Sequence, residues 1–364
     1  MGHKKDLGDR TQLKSRIFYN DYETTYLHTQ GEYDDTFKMR GFGAETVAYY
    51  NEENYNLTGG LYFEGNFLDF LSGFNGGLAE QFEGAKNTFD RQAAVFGDWV
   101  YTGISKWQFN LGGRLLFSDG VLNGVLNLMP RVGIVYEIKD NWTAKYLFNS
   151  SVVQPTLTTK TGGADGTTSF RNGADDPQKF NVHDLQLRFE NETTSLTTTL
   201  FYIEVKDMIL FVSSGGKRFD NAADATSKGV QIEFTHKLPK VKTYGDYTFA
   251  LATFDDRNIT SDSGAVIDIV RNRTLANESL RMAGTPMHQW NIGVDLNLKQ
   301  NFTLNLHHRG YAEIFTKWQR STDYRTLPAG IFFDTSLHWQ NAVKGLNTTF
   351  YIKNLADSDA VTPM

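Results

Sequence analysis

Apolar and polar residues alternate along residues 289–298. Trp290, Ile292, Val294, Leu296 and Leu298 fall on one side of this stretch, and polar or small residues occupy the positions between them. After a break near residue 300 the same alternation resumes and continues to about residue 311. A period of two is typical of a β-strand with one apolar and one polar face. The pattern therefore predicts a β-hairpin that is apolar on one side only.

The same pattern recurs along almost the whole chain. It predicts fifteen strands, at residues 14–26, 36–50, 55–68, 92–102, 105–117, 130–138, 141–149, 183–190, 195–206, 228–236, 244–254, 287–298, 301–311, 331–340 and 345–354. Many of these segments have about 10 residues, and a tilted strand of about 9–11 residues is long enough to cross a bilayer. The repetition indicates that these strands form one large sheet.

The connections between the predicted strands alternate in length. From the second strand onward a short connection follows one strand and a long one follows the next, with long segments at 69–91, 118–129, 150–182, 207–227, 255–286 and 312–330. Up-and-down barrels of outer membranes have short turns at one end and long loops at the other. The sequence therefore predicts an all-β fold, a transmembrane up-and-down antiparallel β-barrel, in which residues 1–364 form a single domain.

The two faces of the predicted strands support this assignment. Leu185, Leu187 and Phe189 lie opposite polar residues of the same strand, and so do Phe333, Thr335, Leu337 and Trp339 of another strand. This indicates one face toward lipid and one face toward water, which is called the wet side. Five tryptophans lie near strand ends, where aromatic girdles meet the membrane interface: Trp99, Trp107, Trp142, Trp290 and Trp339. The alternative is that these aromatic residues pack the core of a soluble protein.

Composition excludes several other classes of protein. The mean hydropathy is −0.42 and no run of 18 apolar residues occurs, so the chain has no helical membrane span. There is no cysteine, and a net charge of −6 with dispersed basic residues gives no nucleic-acid footprint. No nucleophile, zinc or phosphate-binding motif occurs. We therefore expect no enzymatic activity, no metal site and no bound cofactor.

Adjacent histidines occur at positions 307 and 308. Successive residues of a strand point to opposite faces, so His307 and His308 cannot bind one metal ion together. We expect His307 to lie on the wet side. Loop carboxylates such as Asp175 and Asp176 have no calcium-binding spacing and are interpreted as solvated charges.

Six short motifs, in order along residues 90–360, resemble those of TonB-dependent outer-membrane receptors. They comprise Gly113-Arg114-Leu115-Leu116; Pro130, Arg131, Gly133, Tyr136 and Pro155; Phe201, Tyr202, Lys206, Asp207 and Ile209; Asn221, Gly229 and Glu233; Pro286 and His288; and Asn354, Leu355 and Asp357. The resemblance implies a barrel of about 22 strands whose lumen holds an N-terminal plug. It also implies a function: energy-coupled uptake of a scarce nutrient, most often a ferric siderophore, across the outer membrane of a Gram-negative cell.

The sequence also departs from the pattern of this family. It contains no plug domain, no segment that would contact TonB and no secretion signal near residue 1, and fifteen is an odd number of strands. We therefore expect residues 1–364 to be a partial barrel domain from which the plug and a last strand are absent. The expected partners are a small ligand, the TonB complex acting through the plug, and outer-membrane lipid.

Aromatic and arginine residues near the long loops are the candidates for ligand binding. Receptors of this family use such side chains to stack on planar groups and to meet anionic chelates. The candidates are Phe170, Arg171, Arg218, Arg271, Arg273, Tyr311 and Trp318. The sequence around residues 152–178 lacks the motifs of haem receptors, which makes haem a less favoured ligand. The alternatives for function are a porin-like passive channel and a soluble all-β binding module.

Overall fold

The computed structural model consists of β-strands. It describes residues 2–27, 34–72, 88–119, 124–155, 176–214, 217–254, 259–260, 266–267, 282, 284–299, 301–317 and 324–358. Among these residues, no helix is long and apolar enough to span a membrane. The strands are β1 (Gly2–Asp6), β2 (Thr11–Leu27), β3 (Asp34–Asn51), β4 (Tyr55–Ser72), β5 (Thr88–Ile104), β6 (Trp107–Asp119), β7 (Gly124–Lys139), β8 (Trp142–Val153), β9 (Gln178–Glu190), β10 (Thr194–Ser214), β11 (Lys217–Lys237), β12 (Val241–Phe254), β13 (Ile259–Thr260), β14 (Val266–Ile267), β15 (His288–Lys299), β16 (Phe302–Tyr311), β17 (Ile314–Lys317), β18 (Tyr324–Leu327), β19 (Gly330–Val343) and β20 (Leu346–Ile352).

Sixteen of these strands form one antiparallel sheet. The order in the sheet follows the order in the chain, from β1 to β12 and then through β15, β16, β19 and β20. The pairs β13–β14 and β17–β18 form two small separate sheets. Up-and-down topology without a crossover confirms the predicted fold class. In the described residues β1 and β20 are the two edges, and the sheet is not closed.

The main sheet has sixteen strands where the sequence predicts fifteen. The additional strand is β1, which pairs with β2 from Gly2 opposite Arg16 to Asp6 opposite Gln12. Its sequence GHKKD is polar and exposed throughout, so it has no apolar alternation that could reveal it. The count of strands in the main sheet is therefore even among the described residues, and the expectation of a partial barrel stays a prediction.

The prediction of a long connection at residues 207–227 is wrong. Strands β10 and β11 both extend through this segment and leave only residues 215–216 between them. The pairing changes register between Val205 and Met208 and again before Ile209. Because the irregularity at Asp207 breaks the apolar alternation, the sequence pattern ends before the strand does.

Short turns cluster at one end of the main sheet, which we call the turn end. They join β1–β2, β3–β4, β5–β6, β7–β8, β9–β10, β11–β12, β15–β16 and β19–β20. Lys106, Asn141 and Gly345 have positive φ there, and such residues close tight hairpins. The opposite end carries the longer connections and is called the loop end. The predicted alternation of short and long connections therefore holds for most of the sheet, with exceptions at β6–β7, where only residues 120–123 lie between the strands, and at β10–β11.

The sheet has one polar face and one apolar face, as the register of the strand pairs shows. On the apolar face large side chains are exposed, with values that reach 60% for Leu61 and 70% for Leu128. Others are Ile17, Val95, Leu115, Leu185, Leu200, Ile292, Leu306 and Phe333. The buried hydrophobic residues in the described part are few: Ala94, Leu116, Ala223, Ala225 and Ile314. A soluble module would bury its apolar face against another layer, whereas this face meets the surroundings.

Aromatic side chains concentrate on the apolar face close to the turn end. Trp99, Trp107, Trp142 and Trp339 lie there, and Trp290 lies near the loop end of β15. Ring pairs link neighbouring strands, with centroid distances of 4.3 Å for Trp107–Tyr136, 5.2 Å for Trp142–Phe189 and 5.2 Å for Phe302–Trp339. The predicted positions near strand ends are confirmed. Their role as a membrane girdle remains a prediction.

Candidate ligand site on the polar face

Opposite charges meet between strands along the polar face. Arg16 Nε donates a hydrogen bond to Glu45 Oε2 at 2.7 Å. Further along the sheet, Arg131 Nη1 lies 3.5 Å from Asp98 Oδ1 and Lys242 Nζ lies 3.8 Å from Asp295 Oδ2. These side chains are partly exposed, so each pair contributes little to stability. Together they make the polar face a hydrated surface with fixed charges of both signs.

A cluster of aromatic and charged side chains lies on this face at the loop end of β16 and β19. Arg309 Nε donates to Asp334 Oδ2 at 3.2 Å, and the Arg309 guanidinium lies 4.7 Å from the centre of the Phe332 ring. The Tyr311 ring lies 6.3 Å from the Phe332 ring. Gly330 pairs with Tyr311, whose ring occupies the space that a side chain at position 330 would fill. We call Arg309, Tyr311, Phe332 and Asp334 the upper cluster.

Asp334 connects the upper cluster to the segment after β20. Its exposed fraction is 11%, its Oδ1 accepts the backbone N–H of Asn354 at 2.7 Å, and its Oδ2 lies 3.9 Å from His307 Nδ1. His307 therefore lies on the polar face, as predicted. His308 lies on the apolar face, where its ring stacks on Phe333 at 4.6 Å. The two histidines point apart, which confirms that they cannot form one ligand set.

Tyr311 is the only predicted ligand residue whose side chain the structure describes. Arg218 lies in β11 near the loop end, and the description there is limited to its backbone. Phe170, Arg171, Arg271, Arg273 and Trp318 lie outside the described residues. The structure therefore does not test whether these candidates come together with Tyr311.

The structure adds Arg309, Phe332 and Asp334, which the sequence did not single out. One signal was available, because Arg309 lies two positions before Tyr311 in β16 and so shares its face. The contact with Phe332 and Asp334 depends on the pairing of β16 with β19 across a long connection. The sequence pattern predicts that these strands are neighbours but not their register.

Comparison with known protein families identifies the family to which this sheet belongs. The family model described as TonB dependent receptor-like, beta-barrel matches residues 2–355. The chain belongs to the TonB-dependent receptor β-barrel family. No curated protein sequence matches it significantly.

Solved structures show the same fold. The copper transporter OprC superposes with a TM-score of 0.75 at 14% identity, over 99% of this chain and 59% of that one. The siderophore receptor PiuA from Acinetobacter baumannii has a TM-score of 0.70 at 12% identity, over 98% and 59%. The ferric yersiniabactin uptake receptor FyuA from Yersinia pestis has a TM-score of 0.66 at 15% identity, over 98% and 55%. The chain thus spans little more than half the length of these similar proteins.

The family motif at Asn221 has a structural role in this TonB-dependent receptor barrel. Asn221 Nδ2 donates to the carbonyl oxygens of Asp207 at 2.7 Å and Asp176 at 2.9 Å. Its Oδ1 accepts the N–H of Asp176 at 3.0 Å. Asp207 has a φ of 56°, in the left-handed region. Asn221 therefore ties the irregularity of β10 to the segment that precedes β9.

The motif at Asn354 also stabilises a turn. Asn354 Oδ1 accepts the N–H of Ser358 at 3.0 Å, and its Nδ2 donates to the Ser358 carbonyl at 3.1 Å. Asn354 and Asp357 both have positive φ, near 50°. Together with the bond to Asp334, these contacts hold the chain after β20 against the upper cluster.

Part of the polar face has buried polar groups without a hydrogen-bond partner in the described part of the chain. They are Asn110 Oδ1 and Arg114 Nε on β6 and Asn127 Nδ2 on β7. Asn127 is only 5% exposed. Buried polar groups are normally satisfied, so these three atoms are exceptions among the described residues. The described residues contain no group of three or more side chains that could hold a metal ion.

Proposed function

We propose that this chain is the barrel wall of a receptor that imports a scarce nutrient across the outer membrane, most often a ferric siderophore. The family match over residues 2–355 is the observation that carries the proposal. The receptor would bind a small ligand at the loop end and use the TonB complex as its source of energy. The protein would act as a transporter and catalyse no reaction.

We assign residues 1–364 to the barrel and none of them to the plug. The support is that strands of one sheet run from Gly2 to Ile352 through the described residues. The plug would then be supplied by sequence other than these residues. The partly exposed charged side chains of the polar face, such as Arg131 and Asp98, give it groups with which a plug can form hydrogen bonds.

The upper cluster is the part of the described chain best suited to the ligand. The Arg309 guanidinium packs on the Phe332 ring, and the Tyr311 ring lies beside it. A planar cation and two aromatic rings are therefore close together at the loop end. Arginine and aromatic rings suit ferric chelates, which carry planar and anionic groups. The loop residues Phe170, Arg171, Arg218, Arg271, Arg273 and Trp318 are proposed to complete this site.

Energy-dependent uptake tests the function. Cells that express the receptor carrying this barrel should accumulate radiolabelled ferric siderophore, and a protonophore that removes the proton-motive force should abolish accumulation. Cells with the empty vector are the control. The copper transporter among the similar structures makes labelled copper the second cargo to test. Cargo entry that persists with the protonophore would contradict the proposal and indicate a passive channel.

A further inference from the structure

One cross-strand row on the apolar face combines a histidine, a tyrosine and a lysine. Tyr202 of β10 pairs with His183 of β9 on one side and with Lys228 of β11 on the other. Residues that are directly opposite on neighbouring strands point to the same face. We call these three residues the boundary row.

Toward the turn end, the rows next to the boundary row are mainly apolar, and Thr198 between Leu187 and Ile232 is the polar exception. The adjacent row consists of Leu185, Leu200 and Val230, and the first two are 53% and 52% exposed. The third row further on consists of Phe189, Leu196 and Phe234. Exposed aliphatic and aromatic side chains in this arrangement fit the acyl chains of a bilayer.

Toward the loop end, the rows become polar, and their lysines are paired with carboxylates. Asn181 Nδ2 donates to Glu204 Oε2 at 3.3 Å in the adjacent row. In the row beyond, Lys206 pairs with Lys179 across the strands, and each lysine has its own carboxylate. The distances are 3.1 Å for Lys179–Asp207 and 2.9 Å for Lys206–Asp224. The boundary row thus lies where the surface changes from apolar to polar.

His183 is held in place by aromatic neighbours. Its Nδ1 forms a hydrogen bond with the Tyr146 hydroxyl at 3.0 Å, and its ring lies 4.9 Å from Phe148 and 6.2 Å from Tyr202. Since Nδ1 is engaged, Nε2 is the ring nitrogen that can bond to a group outside the protein. Tyrosine and histidine rings of this kind fit the interface between acyl chains and headgroups.

Lys228 supplies the charge of the boundary row. Its side chain is exposed and makes no hydrogen bond or ion pair with the described part of the chain. Lys179 and Lys206, two rows away, are already paired with Asp207 and Asp224. Strands lie about 4.8 Å apart, so the backbones of His183 and Lys228 are separated by about 10 Å. The lysine side chain is long enough for its ammonium group and the His183 ring to contact the same phosphate group.

We propose that the boundary row binds the phosphate of an anionic lipid headgroup. Lys228 would pair with the phosphate charge, His183 Nε2 and the Tyr202 hydroxyl would form hydrogen bonds to its oxygens, and the leucine row would contact the acyl chains. Cationic residues at this level attract anionic lipids. The inference rests on the proposed membrane location and is independent of the cargo.

A second histidine offers a matched control on the same face. His288 Nδ1 bonds to the Tyr247 hydroxyl at 2.7 Å, and the ring lies 5.2 Å from Phe249. The row of His288 continues through Phe249 to Val230, so it has no lysine at the position equivalent to Lys228. His288 therefore has the aromatic setting without the cation.

Lipid titration of the full chain in detergent micelles tests the site, with bound lipid counted by native mass spectrometry. The probes are a bisphosphorylated glucosamine lipid, the same lipid without phosphate, and inorganic phosphate. Lys228→Gln should weaken binding of the phosphorylated lipid by about fivefold, and Lys228→Arg should retain it. His183→Ala should also weaken binding, whereas His288→Ala and Lys344→Gln should leave it unchanged.

Folding of every variant is checked by the heat-dependent shift of barrel mobility on gels. Equal affinity of Lys228→Gln and the wild type for the phosphorylated lipid would overturn the proposal. So would equal affinity of the wild type for the lipid without phosphate, or binding of inorganic phosphate as tight as that of the lipid. None of these outcomes bears on cargo uptake, so failure of this site and failure of the transport proposal are distinguishable.

Discussion

Gly229 of β11 shows how a single residue sets the spacing between strands. A Cβ at this position would overlap the Phe249 carbonyl oxygen of β12 and lie 2.6 Å from the Phe201 ring of β10. The backbone oxygen cannot move without disturbing the β11–β12 pairing. This explains in physical terms why a glycine occupies this position of the motif that also contains Asn221 and Glu233.

Gly229→Ala should therefore destabilise the folded barrel by about 1–3 kcal/mol, as overpacking does elsewhere. The urea midpoint of the refolded chain in detergent measures the effect. Gly59→Ala is the matched control, because a Cβ there meets only the Phe96 carbonyl at 3.7 Å, an ordinary contact. A midpoint for Gly229→Ala equal to that of Gly59→Ala would contradict this explanation.

At the scale of elements, the loop-end half of β10 and β11 depends on the contacts of Asn221. Loss of its three hydrogen bonds should cost about 1–3 kcal/mol locally, because the Asp207 and Asp176 carbonyls would be left without this donor. Asn221→Ala should speed proteolytic cleavage between residues 205 and 223, with the rest of the sheet unchanged. Asn56→Ala, at an exposed position of β4, is the control. Equal cleavage rates in both variants would show that Asn221 does not hold the strands.

The sequence predicts most of these elements because the strands of the main sheet carry one apolar and one polar face. It fails where this alternation ends. The polar strand β1 has no alternation, and the irregularity at Asp207 hides the outer halves of β10 and β11. Of the candidate site, Tyr311 is placed with Phe332, but the register that brings Arg309 to Asp334 follows from pairing across a long connection. Local patterns carry no information on such distant contacts.

At the scale of the whole molecule, the central claim is that the apolar face lies in lipid and the polar face in water. The sequence has no cysteine, so a single introduced cysteine reports on its own position. On β16, Thr303, Asn305 and His307 lie on the polar face, whereas Phe302, Leu304 and Leu306 lie on the apolar face. All six positions lie on one strand, and a comparison between them does not depend on which cargo the receptor carries.

The most direct measurement is the rate at which a charged maleimide labels each of these six cysteine variants in chains reconstituted into lipid vesicles. The reagent does not enter the bilayer core and reaches the vesicle lumen through added pores. Thiols react as hydrated thiolates, so cysteines at 303, 305 and 307 should react at least about tenfold faster than those at 302, 304 and 306. Equal rates on both faces, or faster labelling of the apolar face, would contradict the assignment of this chain to a membrane-spanning barrel wall.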